Sequence, residues 1–396
     1  MRNVPENPTF PLDEYARRLA DLRTALRAAD IDVLLVTSPA NLYWLSDYEA
    51  SWYPPRLPVG LAVWAGGDTV FGDTVFFDWS RHAEFLLYDA LYDEAEFVEY
   101  GTGHVTVAEQ IARRTPGVRV ALEWSSPTPV AGVMNGVAAE LTARGCSVVA
   151  GDWIVDGLRV YKSPAELERV HAAARIADTT FRALHERLRP GMSELEVAAL
   201  VTNLMSEQGG EVPAQHPLVS SGPTAWRDVH GFPSTRRLEP GDIVSIDASA
   251  VVDRYHVNLS RVFSLGRPNQ RVSDLLAGAA ASLETLCATA ELDADPAIAM
   301  AAAERTLRER VADEDIWWTG GYALGISFPP SWVGHTYLAN DGPQRITLRE
   351  GYVSNFESIL RDTLAHDEAA AIDTVAMTAD GLRSLSGIPR ELLMVG

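Results

Sequence analysis

The stretch GDIVSIDASAVVDRYHVNLSRVFSLG, from Gly241 to Gly266, most constrains what this chain can fold into. Two apolar runs in close succession predict an antiparallel hairpin. Side chains alternate between the faces of a strand, so Ser245, Asp247 and Ser249 share one face. Across the hairpin, His256, Asn258 and Ser260 likewise share a face. A carboxylate in a strand interior is costly unless it is paired or neutralised. Asp247 is therefore either a structural group bonded to Asn258 or Ser260, or a functional one.

A second hairpin pattern runs over roughly 350–378, and the helices around it fix the domain plan. Ser163 is a good N-cap, Pro164 suits the first helical position and Glu166 completes a capping box. Leu167, Val170, Ala174, Ala177, Phe181, Leu184 and Leu188 then recur on one helical face. Another helix opens at Ser193 with Glu196 three residues on and stops at Gly209-Gly210; two more span roughly 272–290 and 296–310. Helices beside paired hairpins predict an α+β domain over residues 159–396.

Residues 1–158 read as a smaller α/β domain. A helical pattern from Leu12 precedes the strand at 32–36, and strands at 118–122 and 146–149 flank a helix over 130–144. Ala62-Val63-Trp64 and Thr69-Val70-Phe71 around Gly66-Gly67-Asp68 suggest a hairpin. No phosphate-binding glycine loop is present.

Charge narrows the partners. A net charge of −21 opposes nucleic-acid binding, which needs clustered Lys and Arg. No apolar run reaches the roughly 18–20 residues of a membrane span, and the first fifteen residues lack a signal-peptide pattern. Cys146 and Cys287 form no CxxC pair, so a reducing cytoplasm is expected.

The hairpin from Gly241, the segment YVSNFESILRD from Tyr352 and the start KSPAELERV resemble the creatinase/prolidase/aminopeptidase P superfamily, the pita-bread fold. LVSSGPTAWRDVH and IDTVAMTADG extend that resemblance, and PANLYWLSDY carries it into the creatinase-like N-terminal domain. In metallopeptidase members, two Asp, one His and two Glu hold two divalent metals. Matched residue by residue, this chain reads Asp247, Asn258, Tyr322, Glu357 and Ile372. An amide, a phenol and an alkyl group cannot anchor such a centre. The resemblance therefore implies the metal-independent branch, with neither metal nor other cofactor. GYALGISFPPSW and RYHVNLSRVFSLGRP look especially like ectoine hydrolases.

By that resemblance His230, Asp247 and Glu357 are the candidate catalytic residues. Imidazole is the natural proton carrier near neutral pH, although most loop histidines only bond to backbone. Asp247 is expected as nucleophile or as base for water. Phe356 and Ile359 suggest apolar surroundings for Glu357, which would raise its pKa and let it donate a proton; the alternative is an ion pair with Arg261. Tyr322, Asn258, His256, Trp226 and Trp332 are candidate substrate contacts. Tyr322 either donates a hydrogen bond or merely fills space, and the tryptophans, Trp317 and Trp318 included, either wall a pocket or pack a core. Asp373, beside Ile372, points to the opposite strand face and reads as structural.

The expected activity is hydrolysis of a C–N bond in a small non-peptide metabolite, a cyclic amidine like ectoine or a guanidino compound. The competitors are a lyase or tailoring enzyme, a non-catalytic small-molecule-binding protein, and a metallopeptidase with relocated ligands. The resemblance further implies a homodimer in which Trp52, Tyr53 and Arg56 of the neighbour's N-terminal domain close the pocket.

Overall fold

The computed structural model describes residues 3–67, 72–225, 230–342, 344–362, 364 and 366–395. The chain divides into two units, Met1–Arg159 and Val160–Gly396.

The first unit begins with α1 (Leu12–Ala28), β1 (Val33–Val36), α2 (Pro39–Ser46), β2 (Gly60–Trp64) and β3 (Thr74–Trp79). It continues with α3 (Ala83–Asp89), β4 (Glu94–Val98), α4 (Gly103–Arg114), β5 (Arg119–Leu122), α5 (Ala131–Ala143), β6 (Ser147–Ala150) and α6 (Ile154–Arg159). The sheet runs β4-β3-β2-β1-β5-β6. Val33 to Val36 are buried throughout, as the continuous apolar run of a central strand requires. β2 pairs antiparallel with β3, so the hairpin's second strand starts at Thr74. The strand expected at 69–71 lies outside the described residues.

The second unit opens with α7 (Pro164–Arg187) and α8 (Glu194–Ser206), both started by the expected capping boxes. Ser163 Oγ accepts the Glu166 N–H at 3.3 Å while Glu166 Oε2 accepts the Ser163 N–H at 2.8 Å. There follow β7 (Leu218–Ser221), β8 (Ile243–Val252), β9 (Tyr255–Leu265), α9 (Gln270–Thr289), α10 (Pro296–Arg308) and β10 (Ile316–Gly320). The chain ends with β11 (Val353–Asp362), β12 (Asp367–Thr378), β13 (Gly381–Ser384) and β14 (Leu393–Val395).

These strands form a sheet in the order β10-β11-β12-β9-β8-β7, with β13 added on β12 and β14 on β9. Val257 and Leu259 of β9 turn toward Ala174 and Ala177 of α7. Alternation sends Asn258 and Ser260 to the other face, where Asp247 also lies. The two hairpins meet at a narrow seam whose registered pair is Ile372 with Ser260. Beside it Thr374 Oγ1 accepts the Asn258 N–H and donates to the Asn258 carbonyl, both at 2.9 Å. A side-chain hydroxyl thus stands in for a rung of the ladder.

Candidate active site

The face turned away from α7 carries a pocket that opens to solvent. Its floor comes from the strands. β8 supplies Ser245 and Asp247, β9 Ser260, β11 Glu357 and Ile359, and β12 Glu368, Ala370 and Ile372. The register explains the set: Asp247 faces Ser260, Glu357 faces Ile372, and Ile359 faces Ala370. Gln215, Leu218, His230, Tyr322, Trp332 and Val333 form the rim.

Two asparagines join the two central carboxylates. Asn258 Nδ2 donates to Asp247 Oδ1 at 2.6 Å, and Asn258 Oδ1 accepts from Asn355 Nδ2 at 3.2 Å. The same Asn355 Nδ2 donates to Glu357 Oε1 at 2.6 Å. Tyr322 donates its hydroxyl to Glu357 and accepts the Trp332 indole N–H at 3.1 Å. Trp318 of β10 gives Glu357 a further N–H. Gly320, opposite Glu357, leaves the room in which that indole lies. A side chain at Gly321 would collide with the Asn355 backbone, so glycine is needed for Tyr322 to approach it.

Electrostatics separates the two carboxylates. Burial, then the charge of Glu357, pushes Asp247 up to about 8, offset only in part by the Asn258 N–H. Burial pushes Glu357 up to about 7 against hydrogen bonds from Tyr322, Asn355 and Trp318. Hydrogen bonds to the ionised form favour it. Glu357 accepts three and Asp247 accepts one, so Asp247 is the partner that keeps a proton near neutrality. Burial holds Tyr322 far above the usual phenol range, which leaves it a donor.

Several expectations change. Burial raises the pKa of Glu357 as expected, with Ile359 and Ile372 beside it at the pocket, but Tyr322, Asn355 and Trp318 also donate to it. Arg261 does not pair with it; Arg261 is buried against Asp373 at 3.1 Å, and Arg390 reaches the same carboxylate at 2.9 Å. Asp373 therefore has a structural partner on the far side of the sheet from Ile372. Asp247, expected as nucleophile or as base for water, is the carboxyl that burial and the charge of Glu357 push toward its protonated form.

His256 does not join the pocket. It occupies the expected strand face, but nearer the hairpin's tip, and is fully buried. Its Nε2 accepts the Ala214 N–H at 2.9 Å and its Nδ1 bonds the Arg254 carbonyl at 2.8 Å, so neither nitrogen remains for a substrate. Such a ring backs Trp332, 6.5 Å away between centroids. His230 lines the pocket from an exposed position, its ring 5.9 Å from that of Trp317. Trp226 lies outside the described residues. Trp52, Tyr53 and Arg56 belong to the first unit, where Trp52 is 51% exposed and Tyr53 donates to the Tyr48 carbonyl at 3.1 Å.

Ser260 lies opposite Asp247 on the face expected of it, whereas Glu368, Asn355 and the contact made by Trp318 are not among the residues the sequence pattern picks out. Glu368 accepts from Ser220 Oγ at 3.0 Å and sits at the same pocket as the other two carboxylates. Its even spacing from Ile372 along β12 was the available signal.

The model of metallopeptidase family M24 matches residues 168–378, more than half of the chain. The chain belongs to this family. The creatinase/prolidase N-terminal domain matches residues 18–160. Among similar proteins, an uncharacterised hydrolase/peptidase of Sinorhizobium fredii is 24% identical, with 96% of this chain and 97% of the relative covered. The ectoine hydrolase of Halomonas elongata is also 24% identical, covering 97% and 98% respectively. A dipeptidase structure from Pyrococcus horikoshii superposes with a TM-score of 0.81 at 22% identity, over 95% of this chain and 99% of that one. This M24 member thus has the two-domain architecture of a creatinase-like hydrolase. No helix among the described residues is long and apolar enough to cross a membrane.

The family implies a pair of divalent metals, and the donor set of this M24 member does not fit one. Ile372 supplies no donor atom. Tyr322 keeps its proton and commits its oxygen to Glu357 and Trp332. Asn258 has one ligating atom, Oδ1, and that atom accepts from Asn355 while the NH₂ group faces Asp247. Among the described residues, no group of three or more His, Cys, Asp or Glu is arranged to hold a metal ion.

Proposed function

We propose that this M24 member is a metal-independent hydrolase that cleaves a C–N bond in a small non-peptide metabolite, a cyclic amidine like ectoine or a guanidino compound. The observation that carries the reading is the Asp247–Glu357 pair, bridged by two amides in one pocket. One member is poised to hold a proton and the other to be ionised. A cationic amidine suits an anionic Glu357, and Trp332 and Tyr322 offer aromatic faces nearby. Full-length similarity to an ectoine hydrolase supports the same substrate class.

In the proposed reaction His230 accepts a proton from water as its oxygen bonds to the amidine carbon. The carbon–nitrogen bond then breaks, and the departing nitrogen takes the proton of Asp247. Asp247 recovers a proton from His230, which closes the cycle. Glu357 holds the substrate cation throughout. In solution two copies are proposed to pair, with Trp52, Tyr53 and Arg56 of the neighbouring copy closing the pocket.

The test is a panel of ectoine, other cyclic amidines, guanidino acids and X-Pro dipeptides, assayed with chelator and with manganese. Turnover of an amidine or guanidino compound that survives chelation is expected. Manganese-dependent cleavage of X-Pro dipeptides, with the rest of the panel untouched, would sink the reading.

A further inference from the structure

Asn355 is fully buried on β11, two residues before Glu357. Its Oδ1 accepts the backbone N–H of Tyr322 at 2.9 Å. Side-chain amides are hard to orient because their oxygen and nitrogen look alike, but a backbone N–H can only donate. The atom facing it must therefore be the amide oxygen. The NH₂ group of Asn355 is then forced toward Glu357 Oε1 at 2.6 Å and Asn258 Oδ1 at 3.2 Å. Asn258 must in turn present its own NH₂ to Asp247 Oδ1, at 2.6 Å. The Tyr322 N–H sets this direction through Asn355, and the Ala248 carbonyl, which accepts from the Asn258 NH₂ group at a longer 3.4 Å, agrees with it.

We propose that Asn355 is a positioning residue that fixes this direction, committing Asp247 Oδ1 to an N–H and leaving Oδ2 as its reacting oxygen. An oxygen facing an N–H at hydrogen-bond distance cannot also direct a proton at that group. Any proton on Asp247 therefore resides on Oδ2, the oxygen that Asn258 does not engage in a side chain that lines the cavity. If Asn258 were turned over, its carbonyl would face Oδ1 and draw the proton there, away from the departing nitrogen. The inference rests on Asp247 and Glu357 being the catalytic pair, but the geometry it predicts can be seen without any substrate.

A neutron structure of the full-length protein is the first test. It should show the Asn258 N–D bonds toward Asp247 Oδ1 and, at neutral pH, a deuteron on Oδ2. An Asn258 carbonyl facing Asp247 would overturn the proposal. The second test is kinetic, on a substrate found by the panel. Asn355→Asp keeps the acceptor for Tyr322 but loses both donated bonds; kcat should fall at least about 100-fold, the usual contribution of a placed proton donor, with KM changed far less. A double-mutant cycle with Asn258→Ala and Asn355→Ala guards against simple misfolding, with all variants checked by circular dichroism. A shared relay makes the double variant hardly worse than Asn258→Ala alone, whereas additive losses would mean that the residues act separately. If the panel yields no substrate, the neutron result alone decides the positioning role.

Discussion

Glu357 and Ile372 face each other as a registered pair on β11 and β12. In the metallopeptidases that this chain resembles, both positions carry glutamates that hold metal. Here one is ionisable and the other is alkyl.

Purified protein should accordingly contain no stoichiometric zinc, manganese, cobalt or iron, and chelation should leave turnover intact. Elemental analysis by mass spectrometry reads this directly. About two metals per chain, lost with activity on chelation, would contradict the donor set.

Asp247→Asn should remove most of the activity yet stabilise the protein at alkaline pH. A carboxyl whose folded pKa is raised binds more protons folded than unfolded, so its contribution is complete below the unfolded value and is lost as pH rises through the folded one. For Asp247 that window runs from 3.8 to about 8. The amide mimics the protonated acid and escapes this loss. Thermal melts should show the variant above wild type at pH 9, with the difference vanishing near pH 4. Equal melting curves at pH 9 would show that folding does not raise the pKa of Asp247.

His230→Ala should cost about 100-fold or more in kcat, as general acid–base groups usually do, with little change in melting temperature because the side chain is exposed. Retention of more than about a tenth of wild-type activity would remove His230 as the proton carrier.

Tyr322→Phe should destabilise by about 1–3 kcal/mol, since it strips the buried Trp332 N–H of its acceptor and Glu357 of a donor. Adding Trp332→Phe removes the stranded N–H as well and should restore part of that loss. Denaturant melts of the single and double variants measure it; purely additive losses would show that the phenol is not the indole's partner.

Much of this site could be read from strand period. The hairpin from Gly241 fixes which residues share a face, and that placed Asp247 with Asn258. The same rule gives no depth along the strand, so it groups His256 with the pocket although that residue lies at the hairpin's tip. The burial that raises Glu357 is legible in its apolar neighbours, but its donors are not. Phe356 and Ile359 are its neighbours in sequence, whereas its donors come from Tyr322, Trp318 and the amide of Asn355. Trp318 was reachable only once β10 was known to lie beside β11, and nothing in the chain's own period announces that adjacency.

Thr374 gives the site its gauge. Asp247 stands on one hairpin and Glu357 on the other, and beside the seam this hydroxyl spans the interval between β9 and β12. Only a group that both donates and accepts can satisfy the N–H and the carbonyl of Asn258 together. Valine has the same outline but would orphan both, at about 1–3 kcal/mol for each buried group. The spacing between the strands that carry the two carboxylates is thus calibrated by a residue that does not itself line the pocket.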